Sequence, residues 1–68
     1  MIEVFKTNIQ NEKQSENIKI QILKQYPKLK IDFDLEDIDK VLRVEGEFNP
    51  LVILETVVLF GFESEIMT

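Results

Sequence analysis

Residues 29–35 alternate without a break: Leu29, Ile31, Phe33 and Leu35 are apolar, and Lys30, Asp32 and Asp34 between them are charged. A period of two over that length predicts a strand with one buried face. Residues 40–45 alternate less cleanly, with Leu42 and Val44 on one side and Val41, Arg43 and Glu45 on the other, and read as the return strand of a β-hairpin. A loop over residues 36–39 sets Leu35 opposite Lys40, Phe33 opposite Leu42 and Ile31 opposite Val44. Outside, it sets Asp32 opposite Arg43 and Lys30 opposite Glu45. A loop shorter by two residues puts Lys30 against Arg43, and like charges across strands oppose pairings worth roughly 0.2–1 kcal/mol. Only shifts of two keep the apolar face buried, so the longer loop is the expected register.

Residues 2–9 (IEVFKTNI) are β-branched and aromatic and predict a first strand. Its inward face is ambiguous, because Ile2 and Val4 lie on one side and Phe5, Thr7 and Ile9 on the other; a bulge or a doubly buried central strand reconciles them. Asn11 is placed to cap a helix that runs to about Gln25, with Ile18, Ile22, Leu23 and Tyr26 forming one apolar stripe. Pro27 stops it. After a connection over residues 46–49, Asn49-Pro50 is a helix start, a capping residue followed by proline at the first helical position. Gly61 is placed just past that helix's end. The intervening LVILETVVLF is rich in β-branched residues, but its caps and its lack of alternation predict a helix. Residues 62–67 close the chain as a strand. The order is βαββαβ, one domain over residues 1–68 with no linker or repeat. It predicts a ferredoxin-like α+β sandwich: a four-stranded antiparallel sheet with both helices on one face. The other face is expected to carry Lys30, Asp32, Asp34, Val41, Arg43, Glu45, Glu63 and Glu65.

Composition removes several chemistries. The chain has no cysteine and no histidine. Disulfides, thiolate ligands, cysteine nucleophiles and imidazole acid–base groups are therefore absent together, and with them conventional zinc and copper sites. The net charge of −5 disfavours nucleic acid and anionic membranes as partners. The RNA-recognition motif shares the element order but stacks bases on aromatics of its central strands; here the third strand has none, the first has only Phe5, which reads as a packing residue, and the domain is acidic. The acidic run Asp32, Asp34, Glu36, Asp37 and Asp39 looks like the start of a calcium loop. It fails because Asp37 stands where the loop needs glycine and Arg43 where it needs its bidentate glutamate. Ser15 and Ser64 lie in no nucleophile elbow, and no glycine-rich phosphate loop is present. The expectation is a non-enzymatic domain without cofactor or metal. The N-terminus lacks a signal-peptide pattern, and the apolar run over residues 51–62 is too short to span a bilayer, so a cytoplasmic, soluble domain is expected.

The edge strands and the second helix are the candidate contact surfaces, and on the helix residues can be named. Glu55 and Thr56 are its only polar positions between Leu51 and Phe60, and a helical period makes them the outer face. Val52 and Leu59 project between them and are expected to be partly exposed, as a contact for a second copy or another protein.

Laid out in this order, the chain resembles the heavy-metal-associated, copper-chaperone-like domains. The resemblance rests on the first strand EVFKTNI, the amphipathic first helix, IDFDLED and VLRVEG in the hairpin, and Gly61-Phe62 before the last strand. That family holds a soft metal ion with an M-x-C-x-x-C motif in its first loop. The corresponding positions here are Asn11 and Gln14, or Glu12 and Ser15, none of them a thiol. The resemblance therefore implies the family's scaffold without its metal site, serving as a protein-interaction module through the second helix or an edge strand. The alternative is a metal-ion or small-ligand binder using carboxylate and backbone oxygens.

Overall fold

A computed structural model describes residues 1–67; Thr68 lies outside them. The elements are β1 (Ile2–Thr7), α1 (Glu12–Gln25), β2 (Lys30–Asp34), β3 (Val41–Glu45), α2 (Pro50–Leu59) and β4 (Ser64–Ile66). The strands form one sheet in the order β2-β3-β1-β4, with every neighbouring pair antiparallel. This is the ferredoxin-like arrangement.

The hairpin register is the one expected, with Ile31 opposite Val44, Phe33 opposite Leu42, Asp32 opposite Arg43 and Lys30 opposite Glu45. The ladder ends one step early, at Asp34 opposite Val41, so Leu35 and Lys40 belong to the turn. Lys40 takes a left-handed φ of 46°, which removes it from the strand. Its N–H donates to the Asp37 carbonyl at 3.0 Å and its Nζ to the Leu35 carbonyl at 2.8 Å. Charge pairing is not what holds the register. Among the described residues the one ion pair within bonding reach is Lys6 with Asp39 at 3.6 Å, and neither Asp32–Arg43 nor Lys30–Glu45 closes. The apolar face does the selecting: Leu29, Ile31, Leu42 and Val44 are buried, and a slip would expose them.

The first strand needs no bulge. Its register runs continuously from Ile2 opposite Glu45 to Phe5 opposite Leu42. Phe5 and Thr7 face the helices and are buried, as is Ile9 just beyond the strand, whereas Ile2 and Val4 stand on the open sheet face. Phe5 is wholly buried, so no aromatic of the central strands is presented to solvent. Ile18 and Ile22 of α1 and Ile53 and Val57 of α2 close over Phe5, Leu42 and Val44 to make a single core.

Both helices begin and end where their caps direct. Asn11 accepts from the Gln14 N–H at 2.9 Å, and Gln14 in turn accepts from the Gln10 N–H at 2.9 Å, a variant of the capping box. The Asn49 side chain accepts from the Leu51 N–H at 3.0 Å, while its own N–H donates to the Tyr26 hydroxyl at 3.2 Å, which ties the end of α1 to the start of α2. At the far end of α2 the Gly61 N–H reaches the Val58 carbonyl at 3.0 Å and the Phe62 N–H the Val57 carbonyl at 3.2 Å. With Gly61 at φ 92°, this is a Schellman cap.

A long-range clamp joins β1 to the hairpin turn. The buried Thr7 hydroxyl donates to the Lys40 carbonyl at 2.6 Å and accepts from the Ile9 N–H at 3.2 Å, and the Thr7 N–H donates to the Asp39 carbonyl at 3.0 Å. Thr7→Val keeps the shape but strips both hydroxyl bonds, and urea unfolding should show a loss of about 1–3 kcal/mol. A second test compares the two glycines. A Cβ at Gly61 meets open space, so Gly61→Ala should cost only the left-handed penalty, about 1–2 kcal/mol. At Gly46, φ 136°, a Cβ would lie 2.7 Å from Leu29 Cδ2. Gly46→Ala should therefore lower the midpoint further than Gly61→Ala; the reverse order would contradict the packing described.

Candidate functional site

The sequence points to the outer face of α2, at Val52 and Leu59, as a contact surface, and to the loop between β1 and α1 only as the place where the resembled family holds its metal. In the loop, Asn11 and Gln14 are spent on the helix cap described above. Ser15 is buried, and its hydroxyl donates to the Glu12 carbonyl at 2.8 Å. Asn8, at the loop's start, accepts from the Glu63 N–H at 2.7 Å and so ties the loop to the approach of β4. These side chains hold backbone. They leave no convergent set of oxygens pointing at a common centre. Among the described residues no group of three or more Asp and Glu side chains comes together as a set of metal ligands. The acidic hairpin turn is organised likewise by its own backbone: Asp34 accepts from the Asp37 N–H at 3.3 Å and Asp37 from the Asp39 N–H at 2.8 Å.

The second helix departs from the expected orientation at one residue. Thr56 was expected on the outer face beside Glu55, but it is 4% exposed. Its hydroxyl donates to the Val52 carbonyl at 2.8 Å and accepts from Gln25 Nε2 at 2.8 Å, so its burial against α1 leaves no unpaired group. The inward arc is Ile53, Thr56 and Val57, and the outward arc is centred on Glu55 alone. Val52 is consequently half-buried between α1 and α2, and Leu59 is 81% exposed. Two further apolar residues come outward that sequence reasoning missed, Leu51 at 61% and Val58 at 57% exposed. A helical wheel centred on Glu55 would have found them. Nothing in a nearly all-apolar helix said that the wheel should be centred there.

Leu51, Leu54, Glu55, Val58 and Leu59 line one side of an open groove of about 490 Å³, and Ser64 of the edge strand β4 lines the other. The Ser64 hydroxyl oxygen is buried and has no hydrogen-bond partner among the described residues. A second groove, of about 370 Å³, runs between the helices and carries Val52, Thr56 and Leu59 on the α2 side and Gln21, Lys24 and Gln25 on the α1 side. The arrangement offers apolar contact area beside the outer edge of β4. No helix among the described residues is long and apolar enough to cross a membrane. Compared with known proteins, the chain matches no family model and no curated protein.

The exposed and buried arcs of α2 should respond oppositely to substitution. Leu59→Glu should change the unfolding free energy by no more than about 0.5 kcal/mol, whereas Ile53→Ala in the core should cost about 2–5 kcal/mol. Equal losses in thermal melts would mean that the arcs are wrongly assigned.

Proposed function

We propose that this chain is a small non-enzymatic interaction domain, a heavy-metal-associated-like scaffold without the thiolate loop, that docks a protein partner through the outward arc of α2. A cytoplasmic setting goes with that reading. The observation that carries it is the grouping of Leu51, Val58 and Leu59, all exposed, along one wall of one groove. Single surface apolar residues are ordinary; three that share a groove beside a sheet edge make a contiguous patch of the kind that marks contact surfaces. Fully burying a leucine or valine contributes roughly 1.5–3 kcal/mol, so these three side chains supply the hydrophobic centre of an interface. The non-enzymatic part of the reading rests on the lack of histidine and cysteine. The scaffold part is supported by the loop, where the positions that would bear thiolates are Asn11 and Gln14, which cap α1, or Glu12 and the buried Ser15.

Affinity capture from the native cell with the wild-type chain and with Leu59→Glu is the test. A protein retained by the wild type should be lost with the variant while the variant's melting curve is unchanged. Identical captured sets from the two, or a wild type that retains nothing specific, would overturn the reading. A parallel titration with calcium, zinc or copper(I) should give no saturable, localised NMR shifts at sub-millimolar metal; such shifts would favour a metal-binding role instead.

A further inference from the structure

Every basic residue in the chain precedes residue 44. Residues 1–43 hold all eight Lys and Arg and eight of the thirteen Asp and Glu, and so are neutral; residues 44–68 hold Glu45, Glu47, Glu55, Glu63 and Glu65 and no basic residue, which is the whole net charge of −5. That second portion builds α2 and β4. The groove between them therefore has apolar walls and acidic neighbours of one sign. Among the described residues no basic side chain lines it, Lys24 being in the separate groove between the helices. Glu63 and Glu65, on either side of Ser64, are both exposed. The one basic residue opposite them in register, Lys6 facing Glu65, lies 3.6 Å from Asp39.

The β4 edge is also free to pair. The Met67 N–H donates to the Val4 carbonyl at 2.8 Å and the Glu63 N–H to Asn8 Oδ1 at 2.7 Å, so the odd-numbered residues of this stretch bond toward β1. Strand alternation then turns the main-chain N–H and C=O groups of Ser64 and Ile66 outward. The edge is short, three residues in β4, and is flanked by the exposed Glu63 and Glu65, so it is guarded by length and by negative charge, a guard that opposes anionic strands and not cationic ones. A strand added there would send alternate side chains to opposite faces: one set into the groove under Leu51, Leu54 and Val58, the other toward the open face beside Glu63 and Glu65.

We infer that the partner of this groove is a cationic, amphipathic strand of another protein, which adds to β4 as a fifth strand with its apolar side chains in the α2 groove and its Lys or Arg side chains at Glu63 and Glu65. The inference rests on the reading of α2 as a docking surface and adds the partner's chemistry and its mode of binding. A second copy of the chain fits less well. Pairing β4 with its own mate sets Glu63 and Glu65 against the same residues, and like charges across strands repel.

The test is an NMR titration of the 15N-labelled chain with three synthetic peptides: one alternating Lys and Val, one alternating Glu and Val, and one with the Lys and Val residues in two blocks. The alternating Lys peptide should give saturable shifts confined to residues 62–67 and to α2. Its affinity should fall several-fold when salt is raised from about 50 mM to about 300 mM, as screening predicts. The other two peptides should bind at least about tenfold more weakly. Val58→Arg, at a position 57% exposed and therefore tolerant, should weaken the alternating Lys peptide to a similar degree. Shifts that map to the acidic hairpin turn, equal binding by the Glu or block peptides, no localised shift at all, or self-association at β4 without peptide would each overturn the inference. If the peptides fail while Leu59→Glu still abolishes capture from cells, only the cationic-strand inference falls. If Leu59→Glu changes nothing, the docking reading falls as well.

Discussion

The packing of Phe5 against Leu42 at the centre of the sheet is the contact on which the rest depends. These two residues face each other across β1 and β3, the two middle strands, and both are wholly buried. They bring together the first strand and a hairpin some thirty-five positions later, and they offer a single apolar face on which both helices settle. A chain of this length buries only about 60% of the surface it exposes when unfolded, so there is no second core to compensate for a misplaced strand. Ile18, Ile22, Ile53 and Val57 can close over that face only if Phe5, Thr7 and Ile9 point inward. The cost is that Ile2 and Val4 are left on the open side of the sheet.

That choice shows why β1 was ambiguous in the sequence while the hairpin was not. In residues 29–35 every apolar position lies on one side, so alternation alone decides the face. In β1 both sides are apolar, and the decision comes from pairing with β3, which no local pattern contains. The caps at Asn11, Asn49 and Gly61 were legible because each acts within its own turn. The Thr7 clamp onto Lys40 was not, since its partners lie 33 residues apart. The hairpin register holds a further lesson. Charge pairing across the open face pointed to the right alignment, yet the opposed charges do not close into ion pairs, and in water exposed pairs of that kind contribute little. The inward residues fix the alignment, and the complementary charges outside simply do not oppose it.

The candidate surface was half legible for a related reason. Leu59 and Val52 could be picked out because they neighbour Glu55 and Thr56, but the arc they implied was centred between those two residues. Burying Thr56 turns the centre by about half of one residue's 100° step, which draws Val52 inward and brings Leu51 and Val58 out. The information that turns it sits on the other helix. Gln25 offers Thr56 a hydrogen bond, so the hydroxyl enters the interface without being orphaned. A threonine in an apolar helix reads as polar in a sequence, whereas in the folded chain it is a small β-branched residue that satisfies itself on the Val52 carbonyl.

The two open edges of the sheet are consequently unlike. Along β2 the outer side chains are Lys30, Asp32 and Asp34, and the groove between that edge and α1 is lined by Glu12, Glu16 and Lys19. That groove is acidic as well, since Asp32, Asp34 and Glu36 also line it, but its α1 wall is made of Glu12, Ser15, Glu16 and Lys19 rather than of apolar side chains, so an added strand finds no apolar seat on the helix there. Along β4 the charged side chains are all acidic and the adjoining α2 wall is apolar. A field of one sign opposes anionic strands and favours cationic ones, which is the discrimination that the inferred cationic partner requires. The absence of basic residues from the last third of the chain thus sets the field at this edge, whereas the fold itself is set by the apolar positions and is indifferent to it.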